Sequence, residues 1–285
     1  MPDTLDKLRL GPGTGPQDQE ANGPAEDVPM TVLEHIGELR SRLIKGLVGV
    51  VPAVAVCWGY RIQLLGFLLE PFSIAYRRLG LGEKAVMNYS NPPEMFTTYM
   101  KISIVCGLML ASPWVFYQLW AFIAPGLYRR ERMYAIPFVV ASSVFFAGGA
   151  FFAYSALMPS MYETLLGMGG EIPDSSLLIQ PMMMITQNLA FATQVLLAFG
   201  VVFEVPVVVT FLALAGVVNW RQLLAFGRWW AVIASVLAAV LTPTPDAGSM
   251  LLMLVPLIVL YYLSVLLAYL FGPKADASDQ TASSS

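Results

Sequence analysis

Long apolar runs separated by short polar stretches set the pattern of this chain. Six runs stand out, at about residues 43–69, 102–124, 133–158, 189–218, 229–241 and 251–271. A helix needs about 20 apolar residues to cross a hydrocarbon core of about 30 Å. The first four runs and the sixth meet that length. The fifth is short, with about 16 residues even when 226–228 are added, against the roughly 20 required. It crosses only if the bilayer thins or its ends snorkel. A re-entrant fifth segment would give five spans and put the termini on opposite sides. Six spans put them on the same side.

Composition agrees with this pattern. The chain has 285 residues, of which 57% are hydrophobic and 12% charged, and its mean hydropathy is +0.66. Soluble domains carry about 25% charged residues, so the expected class is an all-α polytopic membrane protein. Residues 1–29 are rich in Gly, Pro, Gln and acid and have no apolar period. They are expected to be a disordered acidic tail. Lys7 and Arg9 are followed by no apolar core, so a signal peptide is not expected there. Residues 273–285 are expected to be a second disordered tail, leaving 30–272 as the membrane domain. No internal repeat is visible.

Charge sets the expected orientation. Arg40, Arg42 and Lys45 precede the first run, Arg129, Arg130 and Arg132 follow the second, and Arg221 and Arg228 follow the fourth. The loops after the third and fifth runs carry no Lys or Arg. The positive-inside rule therefore places the N-terminus in the cytoplasm, and with six spans the C-terminus also. The exported loop after the first run carries Arg77 and Arg78, and is expected to lie on the outer surface as short helices. No long basic stripe is present, so nucleic acid is not an expected partner. Cys57 and Cys106 fall in apolar runs and read as small hydrophobes. With His35 the single histidine, a histidine-built metal site is not expected, nor is any cofactor.

Glu204, in "FGVVFEVPVVV", is the one ionisable residue in its run. It lies about 22 Å from each end of that run at 1.5 Å per residue. An ionised carboxylate at mid-bilayer costs about 2.5–3.5 kcal/mol, so an uncharged carboxyl is expected, and such residues are usually functional. A structural reading, a neutral carboxyl bonded to another helix, stays open. Pro206 cannot donate to the preceding turn, which predicts a kink beside Glu204. In "TVLEHIGELRSRL", Thr31 and Glu34 have capping-box spacing, and Glu38 and Arg42 have the spacing of a surface ion pair. The ordinary reading is an interfacial amphipathic helix. Around Glu131 three arginines set topology. "LTPTPDAGS" reads as a rigid turn in which Asp246 caps the sixth helix.

Together, "HIGELRSRL", "SPWVFYQLWAFIAPGLYRRER", "FGVVFEVPV" and "LTPTPD" resemble the TatC family, the polytopic subunit of the twin-arginine protein translocase. The resemblance covers about residues 31–272. It implies six transmembrane helices in a concave, glove-like arrangement with both termini cytoplasmic, and short fifth and sixth helices. It implies a receptor for twin-arginine signal peptides of folded cargo proteins, driven by the proton motive force, in the cell's cytoplasmic membrane. The implied partners are the single-span small subunits TatA and TatB, further copies of the chain, and the lipid bilayer. Carried over by motif, Glu38, Glu131 and Phe122 match the signal-peptide site. Glu204 matches an intramembrane polar contact and Asp246 an outer-loop acid. Pro93, Phe96, Lys101, Tyr154, Pro206 and Thr242 match structural or partner-contact positions. The chain departs from the family at TPTPD, which holds an extra residue, and at Met250, where relatives often have Gln. The family is not enzymatic. The competing reading is a proton-coupled solute transporter with Glu204 as the proton carrier.

Overall fold

The computed structural model describes residues 32–82, 85–123, 135–171, 178–179, 182–241 and 247–271. Glu131, Thr242, Asp246 and both tails lie outside the described residues. Two compact units divide the chain, Met1–Leu39 and Arg40–Ser285. The first contributes only the opening turns of α1 (Val32–Gly59) to the described residues.

In the second unit α1 is followed by α2 (Arg61–Arg78), α3 (Pro92–Leu110), α4 (Ser112–Ile123) and α5 (Ala135–Phe152). A π-helical turn, Ala153–Leu157, joins α5 to α6 (Met158–Leu166). Then come a two-residue antiparallel pair, β1 (Gly170–Glu171) with β2 (Leu178–Ile179), and α7 (Ile185–Val202), α8 (Val205–Leu214), α9 (Trp220–Leu241) and α10 (Ala247–Phe271). Five helical stretches are long and apolar enough to cross a membrane, and α3 with α4, bent by 55°, makes a sixth.

Three sequence expectations need correction. The first span ends at Gly59, because Tyr60 forms a turn and residues 61–69 belong to α2. That helix is amphipathic. It buries Leu68, Phe72 and Ala75 and exposes Arg77 and Arg78. The fifth helix is not short: α9 has 22 residues, about 33 Å at 1.5 Å per residue. Arg221 and Arg228 interrupt its apolar run but sit on its exposed side. Asn219 and Gln222 cap it reciprocally, with Arg221 N–H to Asn219 Oδ1 at 3.4 Å and Asn219 N–H to Gln222 Oε1 at 2.9 Å. The sixth, α10, has 25 residues and is not short either. The second span starts ten residues before the apolar run, at Pro92, and bends where Pro113 interrupts the backbone ladder.

Close helix contacts rest on glycine. A Cβ at Gly107 (α3) would lie 2.7 Å from the Val54 Cα of α1. Gly49 leaves space for the Trp114 indole, whose Nε1 donates to the Lys45 carbonyl at 3.0 Å and docks α4 on α1. Gly149 (α5) faces the Phe199 carbonyl and the Phe203 ring, and Gly200 (α7) faces Phe146. Small residues let membrane helices approach closely where no hydrophobic drive operates between them. A second cluster, Ala213, Leu223, Tyr261, Val265 and Ala268, joins α8, α9 and α10. Its Tyr261 hydroxyl donates to the Leu223 carbonyl at 2.6 Å.

Arg78 and Glu163 tie α2 to α6 at 2.7 Å, with 64% and 32% of their side-chain surfaces exposed. An exposed pair of this kind is worth under about 1 kcal/mol. Arg78→Ala is therefore expected to lower the unfolding temperature of the purified protein by no more than a few degrees. A larger drop in a thermal melt would mean that the pair does more than surface pairing.

Candidate functional site

Glu204 sits at the break in the fourth span. α7 stops at Val202 and α8 restarts at Val205, with Glu204 in the N-cap position and Pro206 buried in the first turn. The Glu204 carbonyl accepts the Val208 N–H at 2.9 Å. Pro206 has no N–H for the Val202 carbonyl, so the ladder is interrupted as the sequence predicts. The side chain is half-buried. Its Oε1 is buried and has no hydrogen-bond partner among the described residues. The Ser142 hydroxyl of α5 lies in the neighbourhood of the carboxyl. Ser142 in turn accepts the indole N–H of Trp120 (α4) at 3.0 Å. An acid at mid-membrane thus keeps one oxygen unpaired within the described chain.

The other expected residues lie on several elements. Glu38 lies on α1 in the first unit and is partly exposed. Phe122 is partly exposed in the last turn of α4, immediately before the undescribed segment that carries Glu131. Pro93, Phe96 and Lys101 lie on α3, all exposed, and Phe96 makes an edge contact with Trp58 at 5.7 Å. Tyr154 is in the π-helical turn. Its ring stacks on Phe67 at 4.3 Å and its hydroxyl donates to the Phe67 carbonyl at 3.0 Å, which fastens α2 to the third span. Met250 is half-buried against the main core. The two cysteines are free and line one apolar cavity of about 500 Å³ with Tyr60, Phe67, Tyr154 and Leu196.

One residue absent from the sequence reading is Glu94. It caps α3 from within, accepting the Ser90 N–H at 2.6 Å and the Asn91 N–H at 3.3 Å. It also accepts the Thr186 hydroxyl at the start of α7. The pattern Asn91-Pro-Pro-Glu94 carried the signal, since Asn followed three residues later by Glu marks a helix start.

A half-buried acid at the proline break of the fourth span, among spans of this order, coincides with a known family. The family model described as Sec-independent protein translocase protein (TatC) matches residues 34–256. The chain belongs to the TatC family. The TatC protein of Koribacter versatilis is 38% identical over 249 residues, which cover 86% of this chain and 87% of that one. That of Desulforapulum autotrophicum is 36% identical over 257 residues, 90% of each. Among solved structures, the chain is similar to the crystal structure of the twin-arginine translocase receptor TatC, with a TM-score of 0.70 and 32% identity. That alignment covers 83% of this chain and 99% of the solved one. The fold is therefore the all-α polytopic membrane fold of TatC, and the chain is a component of a protein-transport system.

Proposed function

We propose that this TatC-family chain is the signal-peptide receptor and scaffold subunit of a twin-arginine translocase, exporting folded proteins across the cell membrane with the proton motive force. The observation that carries this reading is the family match over residues 34–256, together with likeness to a twin-arginine receptor over nearly the whole of that solved chain. Both termini face the cytoplasm. Glu38 and Glu131 receive the arginine pair of the signal peptide, because guanidinium forks suit carboxylates in two-point hydrogen bonds. Phe122 contributes to the same signal-peptide site. This reading requires that Arg40, Arg129, Arg130 and Arg132 do not compete for the pair. TatA-like and TatB-like single-span subunits pack on the last three spans, where a polar group on one of them donates to Glu204. Thr242, Asp246, Pro93, Phe96 and Lys101 serve contacts at the outer end, and several copies of the chain assemble in the receptor complex. A solute transporter with Glu204 as proton carrier finds no support in the comparisons, which place the chain among translocase subunits.

Export of a twin-arginine reporter in cells carrying Glu131→Ala or Glu38→Ala tests the site. Each variant is expected to reach the membrane at normal level and to lose export by tenfold or more, on the order of one charged hydrogen bond or larger. Normal export by Glu131→Ala would sink the assignment. Solute flux into liposomes holding the purified chain alone would favour the transporter.

A further inference from the structure

We propose that Arg61 and the apolar cavity lined by Cys57 and Cys106 form one phospholipid site: the guanidinium takes the phosphate of an anionic headgroup, and one acyl chain of that lipid lies in the cavity.

Helix register fixes the depth of the cation. Val54 of α1 lies against Gly107 of α3. Further along the chain, Trp58 meets Phe96 at 5.7 Å and Arg61 lies over the Tyr99 ring at 5.9 Å, both further back on α3. The two helices therefore run antiparallel, and Arg61 falls level with the start of the second apolar run at about residue 102. Trp58, Tyr60 and Tyr99 gather at that level. Trp and Tyr in such a belt mark the headgroup level of a membrane protein.

Arg61 is the arginine of α2 that is left for an anion. Two others are already taken: Arg77 by Glu70 at 3.0 Å and Arg78 by Glu163 at 2.7 Å. Arg61 makes no ion pair among the described residues, and the first turn of α2 holds no acid. One of its N–H groups donates to the Trp58 carbonyl at 3.1 Å, and its plane is held over the Trp58 ring at 5.2 Å. A guanidinium carries five donors, so most of the fork remains available, and a fork suits phosphate in two-point hydrogen bonds.

The cavity, of about 500 Å³, lies on the lipid side of that cation. Cys106 is seven residues beyond Tyr99 on the same face of α3, about 10 Å deeper at 1.5 Å per residue. Leu64 and Phe67 of α2 contribute further lining. Water does not suit this space, because a buried water needs two to four polar partners. The walls are apolar, and the Tyr154 hydroxyl spends its proton on the Phe67 carbonyl. Val56, Leu110 and Phe151, on the first three spans, line the cavity and are exposed, so it opens sideways to lipid. A helix is about 10–12 Å across, so this volume takes little more than one turn of it. A single hydrocarbon chain fits where a transmembrane partner does not. An acyl chain that leaves the bilayer for a protein groove gains little hydrophobic drive. The charge at Arg61 therefore decides which lipid stays.

The test uses the full chain, returned to vesicles of phosphatidylglycerol and phosphatidylcholine in equal amounts and released in mild detergent. Native mass spectrometry counts the lipid of each kind that remains bound. Phosphatidylglycerol is expected to be retained about tenfold in preference, the weight of one charged hydrogen bond. Arg61→Gln is expected to bring the two lipids to parity, and Arg77→Gln to leave the preference intact. No preference in the unaltered chain, or equal loss in both variants, would overturn the headgroup site. Ala150→Leu fills the cavity from α5 and is expected to lower retention of both lipids. Unchanged retention in a folded Ala150→Leu would overturn the place of the chain. Phosphatidylglycerol with a diazirine on its acyl chain reads the same point without any substitution. Cross-links are expected on residues 56–60 and 106–110. Cross-links confined to other segments would overturn the site, as would a second copy or a signal peptide found in the groove in place of lipid.

Discussion

Gly149→Leu is expected to abolish the folded subunit, whereas Gly148→Ala, one residue away, leaves it intact or more stable. A side chain at Gly149 meets the Phe199 carbonyl well inside contact distance and the Phe203 ring at 2.7 Å. The first of these neighbours is backbone, so no rotamer change relieves the clash. α5 and α7 would have to separate, which also breaks the Gly200–Phe146 contact. Overpacking by one methyl costs about 1–3 kcal/mol, and leucine adds three more heavy atoms. Since a domain is stable by only about 5–15 kcal/mol, Leu is expected to exceed what the fold tolerates. Nothing lies within 4 Å of a Cβ at Gly148. There, alanine gains helix propensity of about 0.8–1.0 kcal/mol over glycine. Size-exclusion profiles of the detergent-purified variants, followed by thermal melts, separate the two. A monodisperse Gly149→Leu with unchanged melting, or equal losses at both positions, would refute this account of the α5–α7 contact.

Apolar run length made the membrane spans legible, because a chain in lipid must satisfy its backbone within helices. The errors fell at the ends. α9 starts at Trp220, although its first three turns contain Arg221 and Arg228. Charges on the solvent side of a helix break an apolar run without breaking the helix. Asn219 with Gln222, and Asn91 with Glu94, carried the start signals that hydropathy missed. Pro113 likewise marked the bend between α3 and α4, since a proline disturbs the residue before it as well as the ladder.

At the site the division is different. Glu204 stands out in sequence because one acid in an apolar run has a calculable cost. Ser142 does not, because a serine in a helix is ordinarily satisfied by its own backbone. Only the tertiary packing shows that this one accepts the Trp120 indole instead. Trp120 stood inside a motif that marked the family, yet its partner was set by the packing of α4 on α5. Glu38 and Glu131 looked like ordinary interfacial charges, and motif resemblance alone singled them out.

Glu204→Leu is expected to make the isolated subunit more stable and the assembled system inactive. In the subunit alone, Oε1 is buried with no partner among the described residues. Leaving a polar atom buried and unsatisfied costs about 1–3 kcal/mol. The side chain as a whole is only half-buried, which reduces that figure to about 1 kcal/mol. Leucine fills a similar volume and carries no such atom. The melting temperature of the purified chain should therefore stay level or rise by a few degrees. Glu204→Gln keeps an oxygen for a donor and should retain part of the export. Leucine offers none, so export of a twin-arginine reporter should fall by an order of magnitude or more. Opposite signs for stability and export are what a residue held for a partner predicts. If Glu204 instead serves the fold, through a bond that neutral packing cannot replace, Glu204→Leu will melt earlier and be depleted from the membrane. Both readouts together decide between the two roles, since a structural carboxyl cannot lose function while gaining stability.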